Sequence, residues 1–258
     1  MTPRDTGALP GAAHLLNIAF GNFFFKYRNY LFPVLFAAVV LFGRPHILGP
    51  VWLDQLLTVC GALIALLGQA VRLLTIGYEY IERGGKAGRV YASHLVRGGV
   101  YALTRNPMYL GNGLIAIGMT MVTGAPLIYG LVLPLFLCIY QALIVAEEVY
   151  LRRTFGQEYE QYCAEVPRLI PAWSRSTQVL SGLAYDWRRA VRKDLSTLAG
   201  LFLGLTLLPL WRTYWLEGWG AAKAAAPWHV GAALLTLLLY GIAVYLKKQK
   251  LVFYRATE

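Results

Sequence analysis

"MYLGNGLIAIGMTMVTGAPLIYGLVLPLFLCIYQALIVA", residues 108–146, contains no Asp, Glu, Lys or Arg. A single helix crosses the hydrocarbon core of a bilayer in about 20 residues. This run is close to twice that length, and "TGAP" (123–126) interrupts it with two strong turn formers. It therefore reads as a helical hairpin in lipid. Lipid leaves backbone polar groups no partners except those within a helix or a closed barrel. No strand-period alternation supports a barrel.

The surrounding chain agrees. It is 57% hydrophobic and only 14% charged, against about 25% charged for an average soluble domain. Mean hydropathy is +0.50. "YLFPVLFAAVVLF" (30–42), continuing through "GRPHIL", reads as a first span and "WLDQLLTVCGALIALLGQAVRLLTI" (52–76) as a second. "LSTLAGLFLGLTLLPLW" (195–211) and "WHVGAALLTLLLYGIAVYL" (228–246) follow the hairpin as fifth and sixth. The expected fold class is all-α and polytopic, with about six transmembrane helices. Residues 13–30, aromatic and ending in Lys26 and Arg28, read as an interfacial helix. Three regions result: 1–29, a tail and interfacial helix; 30–194, a four-span core with its connecting segments; and 195–258, an additional pair of spans.

Charge supplies an orientation. Lys and Arg crowd 79–107, 147–194 and "KKQK" (247–250), while the intervening turns are nearly free of them. The positive-inside rule then places both termini and the basic segments in the cytoplasm. The net charge of +11 follows from that bias and from anionic headgroups as partners. The basic residues are scattered between spans, which argues against nucleic acid as a partner. The amino-terminal stretch lacks the order of a cleavable signal. Cys60, Cys138 and Cys163 stand far apart, without the spacing of a zinc site or a disulfide framework. No metal is expected.

The chemistry belongs to the segments flanking the hairpin. In "HLVRGGVYALTRNPMYLGN" (94–112), Gly98 and Gly99 permit a turn or a close backbone approach. Tyr101, Arg105 and Tyr109 are spaced four apart and would share one face of a helix. Pro107 suits the first turn of the third span. Glu147 and Glu148 end the fourth span. A hairpin brings both of its cytoplasmic ends together, so Arg105 meets the acid pair. Singly, Arg105 would be a snorkelling anchor, and Glu148 with Arg152 an ordinary i,i+4 pair. Clustered, ionisable groups within a membrane protein mark a functional site.

"LVRGGVYALTRNPMYLG" and "EEVYLRRTFGQEYEQYCAEVPRLIP" together resemble the paired motifs of isoprenylcysteine carboxyl methyltransferases. These have the forms L-V-x-x-G-x-Y-x-x-x-R-H-P-x-Y-x-G and E-E-x-x-L-x-x-x-F-G-x-x-Y-x-x-Y-x-x-x-V-P. Membrane phospholipid methyltransferases share the acid pair and an N-P-M-Y-like stretch. The resemblance covers about 95–171. It implies an integral membrane enzyme that binds S-adenosylmethionine and takes a lipophilic substrate from the bilayer. It also implies a cofactor site made of His94, Leu95, Val96, Gly99, Tyr101, Arg105, Asn106, Pro107, Tyr109, Glu147 and Glu148, with Arg105 and Glu148 at the chemistry. Asn106 stands where the family has His, and an amide does not titrate near neutrality. The pattern ends near Pro171.

Two other readings share some of these residues. Membrane sterol reductases share an R-H-P-x-Y-x-G stretch and a tail like "YCAEVPRLIP", but use NADPH; adjacent acids suit an ammonium and repel a nucleotide phosphate. A transporter or structural membrane protein would want polar residues at mid-membrane in several spans. The hairpin offers only Asn112, Thr120 and Gln141. The methyl acceptor and the oligomeric state are not legible.

Overall fold

The computed structural model describes residues 41–47, 49–79 and 94–249, with Phe20, Phe23, Phe24 and Tyr27 besides. Among these, every regular element is helical. Helix α1 is Val51–Tyr78, α2 is Pro107–Thr123, α3 is Leu133–Phe155, α4 is Gln157–Glu165 and α5 is Ser176–Leu180. Two long helices, α6 (Trp187–Glu217) and α7 (Trp219–Lys248), complete the order. Four helical stretches are long and apolar enough to cross a membrane: α1, the stretch Ile128–Phe155, α6 and α7. Helix α2, at 17 residues, is about 25 Å long. The expected first span falls mostly outside the described residues, as does the interfacial helix. The described Phe24, with Tyr109 and Tyr140, packs against Ile139 and Leu143.

The hairpin forms where the sequence places it. Gly124 turns the chain with φ +60°, a left-handed conformation open to a residue without Cβ. Its carbonyl accepts from the His46 amide at 2.9 Å. Beyond the turn, Ile128–Val132 is a π-helical turn, which the hydropathy pattern does not signal. Pro134, just inside α3, accounts for it. Its ring has no N–H and crowds the carbonyl four residues back, so the preceding turn widens.

Helix α1 is the centre of the bundle. Within its apolar window 44% of residues are buried, against 6% for α7. It lies along α2 through small residues. A Cβ at Gly68 would fall 2.5 Å from the Gly111 carbonyl oxygen, and one at Gly118 would overlap the Gly61 carbonyl oxygen. Lipid offers helices no hydrophobic drive to associate, so such backbone proximity and interhelical polar contacts must supply it.

Those polar contacts are the main feature missed from the sequence. Arg72 of α1 and Asp194 of α6 form a buried ion pair. Arg72 Nε donates to Asp194 Oδ2 at 2.9 Å and Gln69 Nε2 to the same oxygen at 2.7 Å. The Arg72 guanidinium also donates to Asn112 of α2 and, at 3.0 Å, to Thr197. At the opposite end of α1, Asp54 pairs with Arg212 of α6, which donates to Thr58 at 2.7 Å and lies against Gly124. Asp54 to Arg72 is eighteen residues, and so is Asp194 to Arg212. Each helix carries its acid toward its N-terminus and its base toward its C-terminus. Antiparallel packing then crosses the two pairs. The boundary drawn at 194/195 falls inside α6.

The remaining ties gather one end of the bundle. Arg189 donates to the carbonyls of Ile76 and Gly77 at 3.0 and 2.7 Å, capping the C-terminal end of α1. Asp186 caps α6 by accepting from the Arg189 amide at 2.9 Å. Lys247 at the end of α7 donates to the Arg192 carbonyl at 3.1 Å. The start of α2 and the end of α3 lie at this same end.

Candidate active site

The segment 94–106 is not one helix. It is an extended approach, a 3-10 turn at Gly99–Ala102 and a short connection into α2. Tyr101, Arg105 and Tyr109 therefore do not share a helical face, which corrects the reading from their spacing. Pro107, disfavouring helix in the residue before it, starts α2 as expected. Asn106 takes φ −125° and ψ 51°.

The connection is held by the chain that follows α4. The Leu103 carbonyl accepts from the Ala172 amide at 2.9 Å, and the Arg105 amide donates to the Pro167 carbonyl at 2.9 Å. Thr104, fully buried, donates to the Leu169 carbonyl at 3.0 Å. The Tyr162 hydroxyl of α4 donates to the Tyr101 carbonyl at 2.7 Å. The two quoted motifs are thus pinned side by side through main-chain groups.

Three side chains meet at the mouth of the hairpin. Asn106 Nδ2 donates to Glu148 Oε1 at 3.2 Å and to the Arg168 carbonyl at 3.0 Å. Arg168 Nε lies 3.0 and 3.1 Å from the two Glu148 oxygens, and Nη2 lies 3.0 Å from Oε2. Glu148 is therefore held by Arg168, not by Arg152. Arg152 pairs instead with Glu160 at 2.5 Å, because Gly156 breaks the helix and turns α4 back toward it. Asn106 serves here as an amide donor, a role that needs no titration.

Arg105 is half-buried beside this junction. Its Nη1 donates to Cys163 Sγ at 2.7 Å, and among the described residues its buried Nε has no hydrogen-bond partner. Burial opposes its charge, but Cys163 and the Glu148 carboxylate outweigh burial and raise its pKa. Tyr159 and Tyr162 form a buried cluster with Val166, and Leu95 packs against it. Burial, with nearby Glu148 for Tyr159 and nearby Tyr101 for Tyr162, pushes both phenols above their ordinary range.

The other expected residues are placed as follows. Val96, Gly99, Tyr101 and Pro107 are buried framework, and His94 is exposed. Tyr109 meets the Tyr140 ring edge-on at 5.4 Å. Glu147 is half-buried, about 100° around the helix from Glu148. Cys163 and Arg168 were not anticipated as site residues, although both lie within the second motif. Among the described residues, no group of His, Cys, Asp and Glu could hold a metal ion.

Comparison with known proteins bears on this junction. Residues 56–158 match the phospholipid methyltransferase family profile. An 80-residue stretch is 41% identical to a protein-S-isoprenylcysteine O-methyltransferase of Schizosaccharomyces pombe, covering 30% of this chain and 33% of that one. A 120-residue stretch is 31% identical to probable protein-S-isoprenylcysteine O-methyltransferases of Oryza sativa subsp. indica and japonica, covering 43% of this chain and 59% of each. Over these stretches the chain is similar to isoprenylcysteine methyltransferases. It spans between a third and three fifths of the length of these relatives. No solved structure matches it. The profile match takes in α1 through the start of α4, so the Asn106–Glu148 contact lies inside the related region, whereas Arg168 lies beyond the match.

Proposed function

We propose that the protein is an integral membrane S-adenosylmethionine-dependent methyltransferase. Its acceptor is a lipophilic molecule drawn from the bilayer: a prenylcysteine-like carboxylate, a lipid amine or a lipophilic thiol. One observation carries the reading. In a chain similar over part of its length to methyltransferases, a half-buried arginine whose Nε has no partner among the described residues lies beside a fixed carboxylate at the mouth of the hairpin. The cofactor has a carboxylate and an ammonium at one end, and these donors and acceptors fit that pair.

In this reading Arg105 binds the cofactor carboxylate through its planar fork. Glu147 and Glu148 serve the ammonium, with Glu148 aimed by Arg168 and Asn106. When bound, the cofactor supplies an electrophilic methyl group on a sulfonium. An acceptor that arrives as a carboxylate, thiolate or neutral amine needs little acid–base help. The protein's contribution is orientation and a dry site, and orientation alone can be worth several kcal/mol. The topology proposed with it has six crossings and cytoplasmic termini, so the site faces the cytoplasm and the acceptor enters sideways from the lipid.

Calorimetry on the full chain in lipid nanodiscs tests the cofactor choice. S-adenosylmethionine or S-adenosylhomocysteine should bind and NADPH should not. Binding of NADPH alone would move the protein to the reductase reading. Isotopically labelled methionine, fed to cells with and without the chain, then identifies the methylated lipid by mass spectrometry.

A further inference from the structure

One carboxylate near the site belongs to neither motif. Helix α1 ends at Tyr78, and Glu79 leaves it in an extended conformation with its amide still donating to the Thr75 carbonyl at 3.1 Å. Its side chain lies over the glycine pair that opens the first motif. A Cβ at Gly98 would fall 2.9 Å from Glu79 Oε2, and one at Gly99 would fall 3.1 Å from Glu79 Cβ. Gly99 also has φ +54°. The absence of side chains at 98 and 99 is what leaves room for the acid.

Glu79 is half-buried, and among the described residues its carboxylate makes no ion pair or hydrogen bond. A carboxylate in such a position calls for donors. It is also fixed relative to the site. The Gly98 carbonyl accepts from the Tyr101 amide at 3.0 Å. The same short segment then runs through the Tyr162-bound carbonyl of Tyr101 to Arg105 and Asn106.

We propose that Glu79 is a third acid of the cofactor site and accepts hydrogen bonds from the ribose hydroxyls of the S-adenosyl group. The inference rests on the methyltransferase reading above. Glu147 and Glu148 already answer the single ammonium of that ligand. What remains to be met by a carboxylate with two open oxygens is a pair of neighbouring O–H donors, and the ribose diol is such a pair. Charge-assisted bonds of this kind are the stronger class. The bare backbone at Gly98 and Gly99 lets the sugar approach where any side chain would displace the acid.

The test is calorimetry on the full chain in nanodiscs with S-adenosylhomocysteine and its 2′-deoxyribose analogue. Wild type should bind the ribose form about tenfold more tightly, and in Glu79→Gln that ratio should fall toward one. Gly98→Ala, which crowds the carboxylate without removing its charge, should lower the ratio in the same direction. In a Glu79→Ala background, Gly98→Ala should leave it unchanged. If Glu79→Gln does not fold, the wild-type ratio and the Gly98→Ala effect still decide the matter. Equal affinity of wild type for both ligands overturns the role of Glu79 and leaves the methyltransferase reading standing. Failure of wild type to bind either ligand defeats both.

Discussion

Arg168 grips Glu148 from twenty residues further along the chain, with Nε shared between both carboxylate oxygens and Nη2 on one of them. The pair lies at the mouth of the hairpin, because Glu148 sits toward the C-terminal end of α3 and is bonded to Asn106, the residue that precedes α2. An arginine fork held this way acts by geometry as well as by charge.

Arg168→Lys should therefore weaken S-adenosylmethionine binding although it keeps the charge. Glu148→Gln should weaken it by about 1.5–3 kcal/mol, the usual size of a hydrogen bond to a charged group. The double variant should lose less than the sum, since both act through one carboxylate. Calorimetric affinities of the four proteins give the coupling. Strict additivity would mean that Arg168 does not act through Glu148.

Arg105→Lys should not restore what Arg105→Ala loses. Lysine cannot reproduce the fork, and the orphaned Nε has no counterpart on an ammonium. Cofactor affinity and methyl transfer would both be measured. Normal values in folded Arg105→Ala would reduce Arg105 to a membrane anchor.

Which parts of this could be read from the residues alone? The hairpin could, because a long charge-free run broken by Gly124 and Pro126 has few other solutions. That the segment of Arg105 comes to the acid pair could also be anticipated, since a hairpin must bring its two ends together; the direct contact to Glu148 is made by Asn106, while Arg105 bonds Cys163 beside it. The partner of Glu148 could not. Helix spacing favours Arg152, but Gly156 ends α3 and redirects the chain, so Arg152 reaches Glu160 and a residue beyond α4 takes its place. The helix expected through Tyr101, Arg105 and Tyr109 gave way to main-chain ties with 167–172, which periodicity does not reveal. Arg72 and Asp54 were visible inside an apolar run, and a charge in a span implies a partner. Their matching eighteen-residue spacing with Asp194 and Arg212 was the available clue.

Asp194→Asn should destabilise the protein strongly. Removing one member of a buried pair typically costs about 3–5 kcal/mol because the other charge is left uncompensated. Replacing both, Arg72→Met with Asp194→Leu, should recover much of the loss. Apparent Tm in detergent checks both variants. A single variant as stable as wild type would show that the pair is not buried in the folded protein.

Tyr162 predicts a response to alkali. Its folded pKa is raised by burial, with nearby Tyr101 adding to it, so the folded state favours the neutral phenol. That stabilisation is fully present below about pH 10, the ordinary tyrosine value, and is lost as pH climbs from there through the raised folded value. Tyr162→Phe should cost about 1 kcal/mol or more at neutral pH, from the lost bond to the Tyr101 carbonyl. It should also remove part of the alkaline decline. Thermal unfolding between pH 8 and 11.5 compares the two slopes, and identical slopes would contradict the assignment.

Orientation can be settled in sealed vesicles. A cysteine placed at 220 should label from the outside, and one at 250 only from the inside, in a background lacking the three native thiols. Reversal at either position would defeat the topology drawn from the positive-inside bias.

The equal spacing of the crossed ion pairs lets α1 and α6 carry four charges that answer one another inside the bundle. Eighteen residues of helix measure about 27 Å, close to the hydrocarbon depth of a typical membrane, about 30 Å. The two clusters thus stand about one hydrocarbon depth apart. Each is closed by an acid, a base and a neighbouring polar side chain, so neither needs a headgroup or water as its partner.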